Sequence, residues 1–238
     1  MNEQQFAQFV ERQLNISLTE RELKQFALYY EELITWNEKM NLTAITEKAA
    51  VYEKHFFDSL SAALAVSFHE FETLCDVGAG AGFPSIPLAI CFPHLRITVV
   101  DSLKKRITFL EHVINKLGLS NVALFHERAE TFGHQKNMRE TFDIVTARAV
   151  AKLSVLSEYC LPLVKLHGMF LVLKGPKVSE EVNEASRALK MLGGKIVKVV
   201  ETKLPVEQSE RNILVIEKMK PTPKKYPRKP GIPNKEPL

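Results

Sequence analysis

The sequence predicts an α/β fold: a Rossmann-like, mostly parallel seven-stranded sheet behind N-terminal helices, ending in an antiparallel strand pair. Three observations carry this. From residue 73, short β-rich runs alternate with helix-length stretches, the pattern of a parallel sheet covered on both faces. A glycine-rich turn follows the first of those runs. Before residue 70, apolar residues recur at helical spacing.

The elements follow in order. The opening MNEQQFAQFVERQL is polar and helical and lacks a signal-peptide core. Thr19 and Glu22 have capping-box spacing, and Leu23, Phe26, Ala27, Tyr30 and Ile34 then mark one apolar helix face. A further helix is expected over 48–67, with Val51, His55, Phe56, Ser59, Leu60, Ala63 and Leu64 at helical spacing. Strands are expected at 73–77, 96–101, 121–126, 142–147 and 168–174. The β-rich runs 195–202 and 212–218 are joined by too short a loop for a crossover helix, so they pair antiparallel at the sheet edge. The chain thus divides into a helical region (1–70), an α/β domain (71–218) and a tail (219–238).

The 238 residues are 45% hydrophobic and 25% charged, which excludes wholesale disorder. Net charge is +4, unevenly spread. Residues 1–70 hold 6 Lys/Arg against 11 Asp/Glu, whereas residues 218–238 hold seven Lys/Arg against one Glu, with six of the 12 prolines. Proline removes donors and like charges repel, so the tail should be extended and polyproline-like. Lys224, Lys225, Arg228 and Lys229 could meet phosphates and Tyr226 could stack on a base; a merely solubilising terminus is the alternative. On the RNA reading, removing 219–238 should spare cofactor affinity. No run of 18 apolar residues signals a membrane span. Cys75, Cys91 and Cys160 sit in apolar runs without a Cys-x-x-Cys pair, as buried reduced thiols of a cytoplasmic protein do, so no metal site is expected. Oligomeric state is not implied.

The most informative stretch is Asp76-Val77-Gly78-Ala79-Gly80-Ala81-Gly82-Phe83-Pro84, between a strand and a helix. Such a loop sits at the carboxyl end of a strand, where α/β sheets bind nucleotides. Its Gly-x-Gly-x-Gly spacing departs from the dinucleotide fingerprint. Asp101, ending the second strand, suits ribose hydroxyls, and Asp76 suits a cofactor carrying an amino group. Together they point to S-adenosylmethionine rather than a nicotinamide cofactor. Arg148, past the fourth strand, should face the same cleft. Lys104, Lys105 and Arg106 read as a solvated helix face.

These residues resemble the bacterial 16S rRNA guanine-N7 methyltransferase G family, also called glucose-inhibited division protein B. The resemblance rests on the glycine loop through Ser85-Ile86-Pro87-Leu88, on Trp36-Asn37-x-x-Met40-Asn41-Leu42-Thr43-x-Ile45, and on His55-Phe56-x-Asp58-Ser59-Leu60. Thr146-Ala147-Arg148-Ala149-Val150-Ala151 and Tyr226-Pro227-Arg228-Lys229-x-Gly231-x-Pro233 extend it. It implies a class I methyltransferase fold and methyl transfer from S-adenosylmethionine to N7 of guanosine 527 in the 530 loop of 16S rRNA, as free RNA or in a small-subunit particle. It also implies cofactor contacts at Gly78, Phe83, Ala129, Glu130 and Arg148, joining Asp76, Gly80, Gly82 and Asp101 of the loop reading.

Guanine N7 carries an in-plane lone pair and no proton, so it needs alignment and a favourable field rather than a general base. No Asn/Asp-Pro-Pro-Tyr/Phe tetrapeptide for exocyclic amines and no cysteine motif for pyrimidine C5 chemistry is present. No catalytic base is therefore assigned. His55 is either a satisfied core histidine or, with Asp58 and Ser59 and with Asn41 opposite, a polar wall of the guanine pocket. A nucleotide-dependent oxidoreductase is disfavoured by the glycine spacing and the terminal strand pair. An RNA-binding factor without activity is disfavoured by the intact loop, Asp101 and Arg148.

Overall fold

The computed structural model describes residues 1–148, 151–176 and 178–238. Ala149 and Val150 of the Thr-Ala-Arg-Ala-Val-Ala motif lie outside the described residues. The helices are α1 (Glu3–Leu14), α2 (Glu20–Met40), α3 (Lys48–Val51), α4 (Asp58–Leu60), α5 (Ser85–Cys91), α6 (Lys104–Leu117), α7 (Ala129–Phe132), α8 (Leu153–Cys160), α9 (Val178–Leu192) and α10 (Ile232–Lys235). The strands are β1 (Thr73–Val77), β2 (Arg96–Asp101), β3 (Val122–His126), β4 (Phe142–Ala147), β5 (Val164–Lys174), β6 (Gly194–Lys203) and β7 (Glu210–Lys218). They form one sheet, in the order β3-β2-β1-β4-β5-β7-β6. Strands β1 to β5 pair in parallel, and β7 runs antiparallel to β5 and β6. This is the expected seven-stranded class I methyltransferase topology with its antiparallel terminal pair. None of the described helices is long and apolar enough to cross a membrane.

Strand alternation builds two cores, because successive side chains point to opposite faces. Leu74, Ile144, Leu171 and Ile213 face the core shared with α1, α2 and α6. Their neighbours Cys75, Val145, Val172 and Leu214 face the core shared with α8 and α9. The Thr19–Glu22 capping box forms: Thr19 N donates to Glu22 Oε2 (2.7 Å) and Glu22 N to Thr19 Oγ1 (3.3 Å). The deepest face of α2 is Phe26, Tyr29 and Leu33, rotated from the expected stripe, because Tyr29 is drawn inward to an aromatic stack and a loop carbonyl.

The expected helix over 48–67 is not uniform. Between α3 and α4 lies a π-helical turn, Tyr52–Phe57, and a 3₁₀ turn follows at Ser61–Leu64. Single-turn π segments recur at functional sites. This one inserts Tyr52 and Phe56 among Phe6, Phe26 and Tyr29, with ring centroids 5.0–5.3 Å apart.

The tail departs from expectation: it folds back onto the domain. Tyr226 and Pro227 are buried. The Arg139 guanidinium donates to the carbonyls of Thr222 (2.9 Å), Tyr226 (2.8 Å) and Pro223 (3.3 Å). Arg228 forms a bidentate pair with Glu158 of α8, Nε to Oε1 at 2.9 Å and Nη2 to Oε2 at 2.7 Å. The Gly231 N–H donates to Glu130 Oε1 (2.8 Å). Proline-rich sequence lowers the entropy lost on ordering, and half-buried Arg139 with buried Glu130 and Glu158 supplies the partners that the tail cannot supply itself. Tyr226 and Arg228 are therefore not free to meet RNA, while Lys224, Lys225 and Lys229 stay exposed.

Glu158 has a side chain only 1% exposed, so removing its partner strands a buried carboxylate. Arg228→Ala should lose about 3 kcal/mol of stability in urea unfolding; an unchanged midpoint would refute the anchoring of the tail by this pair. Cofactor affinity should fall with truncation of 219–238, contrary to the expectation for a free tail.

Candidate functional site

The site lies at the carboxyl edge of the sheet and is built around the loop after β1. Gly78, Gly80 and Gly82 all have positive φ. They differ in what lies beyond them. A Cβ at Gly78 or Gly80 would enter open space, whereas one at Gly82 would come within 2.6 Å of Ile86 Cγ1 and 2.8 Å of the Tyr29 hydroxyl oxygen. The first two leave room for a ligand to approach the main chain; the third lets the loop pack on α2. Tyr29 reaches across from α2 and donates its hydroxyl to the Ala81 carbonyl (2.5 Å).

Two acidic residues shape this region. Asp101 accepts from Gly80 N (3.1 Å) and Arg106 Nη1 (3.3 Å) through Oδ2, and from Leu103 N (2.9 Å) through Oδ1. It thus fixes the loop as well as bordering the cleft. Arg106 is correspondingly more than a solvated cation, and Lys105 Nζ donates to the Met40 carbonyl (3.1 Å). Asp76 is fully buried; Oδ2 accepts from Ser85 N (3.2 Å), and Oδ1 has no partner among the described residues. Burial pushes the Asp76 carboxyl up to about 7, with the hydrogen bond from Ser85 N opposing.

Two cavities open here. The first, about 210 Å³, brings together Gly78, Asp101, Ala129 and Glu130, and adds Tyr159. The second, about 370 Å³, is lined by Ile45, His55, Asp58, Arg148, Leu173 and Arg211, among others. Arg148 organises the second. Its guanidinium lies 4.9 Å from the Phe83 ring centroid and donates to the Lys54 carbonyl (3.1 Å), Asp58 Oδ2 (3.0 Å) and His55 Nδ1 (3.1 Å). The His55 ring stacks on Phe83, 4.4 Å between centroids.

An arginine can only donate, so His55 Nδ1 accepts and its proton resides on Nε2, which points at Thr43 Oγ1 (2.8 Å). Burial, then the Arg148 charge, push the His55 pKa down to about 3. His55 is both a satisfied histidine and a cavity wall. Phe83 is only 5% exposed, a stacking platform for His55 and Arg148. Two residues expected to wall a guanine pocket do not line this cavity. Ser59 is fully buried and donates back to the His55 carbonyl (2.5 Å); Ser61 lines the cavity instead. Asn41 is the left-handed C-cap of α2, exposed and outside both cavities.

Sequence reasoning missed Tyr29, Thr43, Tyr159 and Arg211. Arg211 was within reach of it: an antiparallel strand begins at the edge where parallel ones end, so the first residues of β7 join the ligand edge. Among the described residues no group of three or more His, Cys, Asp or Glu is placed to hold a metal.

Comparisons with known proteins agree with this architecture. The family model for rRNA small subunit methyltransferase G matches residues 22–214. A Bacillus subtilis (strain 168) protein named ribosomal RNA small subunit methyltransferase G is 60% identical over 223 residues, covering 94% of this chain and 93% of its own. A Geobacillus sp. (strain WCH70) protein of the same name is 58% identical over 238 residues, covering all of both chains. Among solved structures, the 16S rRNA (adenine(1408)-N(1))-methyltransferase from Catenulisporales acidiphilia has a similar fold, with TM-score 0.52 and 18% identity over 63% of this chain and 89% of that one. The chain is a methyltransferase and belongs to the rRNA small subunit methyltransferase G family.

Proposed function

We propose that the chain transfers a methyl group from S-adenosylmethionine to N7 of a guanine in 16S rRNA, guanosine 527 of the 530 loop. It would act in the cytoplasm on the free RNA or a small-subunit particle. The observation that carries this reading is the pairing of two cavities at one sheet edge, with an orphaned, buried carboxylate oxygen on Asp76 beside the glycine loop.

The residues fit the cofactor. Gly78 and Gly80 leave its approach open, Asp101 would meet the ribose, and Ala129, Glu130 and Tyr159 would border the adenine. Asp76 Oδ1 would take the ammonium. When bound, the cofactor supplies an electrophilic methyl on a sulfonium.

The chain's own work is alignment. Ile45, Leu173 and Ile213 offer apolar walls for a flat base, and Arg148, locked by Asp58, His55 and Phe83, keeps the wall rigid. Neither nitrogen of His55 is available as a base: one accepts from Arg148 and the other faces Thr43. That matches a nucleophile with no proton to lose. Lys224, Lys225 and Lys229 remain as candidate phosphate contacts.

Three outcomes check this. Labelled methyl incubated with unmodified small-subunit RNA or 30S particles should appear as 7-methylguanine at a single position mapped by cleavage; label on another atom would refute the assignment. At saturating cofactor and RNA, single-turnover methylation should be flat between pH 6 and 9, and a bell-shaped profile would reveal a base.

The third concerns cofactor binding. Free Asp76 titrates near 7, and an ammonium binds its ionised form. Calorimetric affinity for S-adenosylmethionine should therefore rise about tenfold per pH unit toward pH 7, then fall as the cofactor's own α-amino group loses its proton above about pH 8. Methylthioadenosine, which lacks the ammonium, should bind without that slope. Asp76→Asn should flatten the slope and cost about 10- to 100-fold in affinity; an unchanged slope would exclude Asp76.

A further inference from the structure

Arg211 is the second residue of β7 and lines the second cavity together with Arg148. Both guanidiniums pair with Asp58, Arg148 through Oδ2 (3.0 Å) and Arg211 Nε through Oδ1 (2.9 Å). They are not equivalent. Arg148 spends both terminal nitrogens on protein: Nη1 on the Lys54 carbonyl and Asp58, Nη2 on His55 Nδ1. Arg211 spends Nη1 on Ser209 Oγ (3.1 Å) and the Glu210 carbonyl (2.9 Å), and leaves Nη2 without a partner among the described residues. The side chain is 20% exposed. Three hydrogen bonds hold it in place while two N–H groups stay unused, the arrangement of a preorganised donor.

A guanine that presents N7 to a methyl donor presents O6 beside it, on the same edge. Adenine places an amino group there. A fixed donor at this position therefore accepts guanine and rejects adenine, because an adenine would set donor against donor. The other charged groups around the cavity are already engaged: Lys174 Nζ on the Ala151 carbonyl (2.7 Å) and Glu181 (2.8 Å), Lys54 on Glu207 (2.5 Å). The apolar lining of Ile45, Leu173 and Ile213 favours the face of a base over a phosphate.

We infer that Arg211 is a specificity-determining residue whose free Nη2 donates to O6 of the target guanine. This rests on reading the second cavity as the guanine site. Asp58 then serves as the shared anchor that orients Arg211 toward the base and Arg148 toward Phe83.

The test is a double-mutant cycle between protein and base. Ligated 16S rRNA would carry either guanine or 2-aminopurine, which lacks O6, at the target position. Each would be assayed with the full-length wild type, Arg211→Gln and Arg211→Lys. The wild type should prefer guanine in kcat/KM, and Arg211→Gln should shrink that preference by about 10- to 100-fold, with Arg211→Lys between. Calorimetric affinity for S-adenosylhomocysteine should stay within about twofold of the wild type, which shows that the fold and cofactor side survive.

Equal losses on both bases would overturn the inference, as would a flattened salt dependence of RNA binding, the mark of a phosphate contact. Loss of cofactor affinity in both variants would make Arg211 a structural partner of Asp58 and also overturn it. The underlying reading fails differently: wild-type enzyme would then yield no 7-methylguanine at that position.

Discussion

One guanidinium sits where three parts of the chain meet. Arg148 leaves the end of β4, rests on the Phe83 ring of the glycine loop and ties itself to Lys54, His55 and Asp58 of the helical region. Each contact alone is modest. Together they occupy both terminal nitrogens and the π face of the cation, so the side chain has one geometry and imposes it on its neighbours. His55 takes its tautomer from Arg148, Asp58 its position between two arginines, and Phe83 its stacked partners. Removing this side chain would leave Asp58 half-paired and His55 without the donor that fixes its ring.

The two acidic residues of the cleft show how environment divides labour between like groups. Asp101 is engaged by two backbone N–H groups and an arginine, so each oxygen has a partner while Oδ1 keeps room for one more donor. Asp76 receives one backbone N–H and leaves an oxygen bare in a fully buried place. A buried carboxylate with an unmet oxygen costs free energy until a donor arrives. The first residue holds the loop's shape; the second is the one that gains from a cation.

How much of this the sequence discloses follows from the range of each interaction. The strands, the Thr19 capping box, the glycine loop and the antiparallel terminal pair rest on local spacing and are all legible. Asp58, His55 and Arg148 are legible as polar residues in suggestive places, though not as one cluster, because 90 residues separate the Asp58–Arg148 pair. Ser59 and Asn41 mislead for the opposite reason: each satisfies a local backbone role, one within its helix and one as a cap, and so is withdrawn from the cavity. The tail misleads most. Its composition describes a solvated chain, and what folds it is Arg139, Glu158 and Glu130, none of which is near it in sequence.

The hydroxyl of Tyr29 carries a consequence for modularity. The glycine loop is the part of such a domain that is expected to be self-sufficient, yet here its Ala81 carbonyl is satisfied from α2, and Gly82 exists to let that helix come close. The N-terminal helices are therefore part of the glycine loop's foundation as well as a flank of the second cavity. An exchange of those helices for a different recognition module, by recombination or by design, would have to bring its own hydroxyl to that carbonyl. Helices and glycine loop can therefore only change together, since the helical region that lines the second cavity also supports the loop.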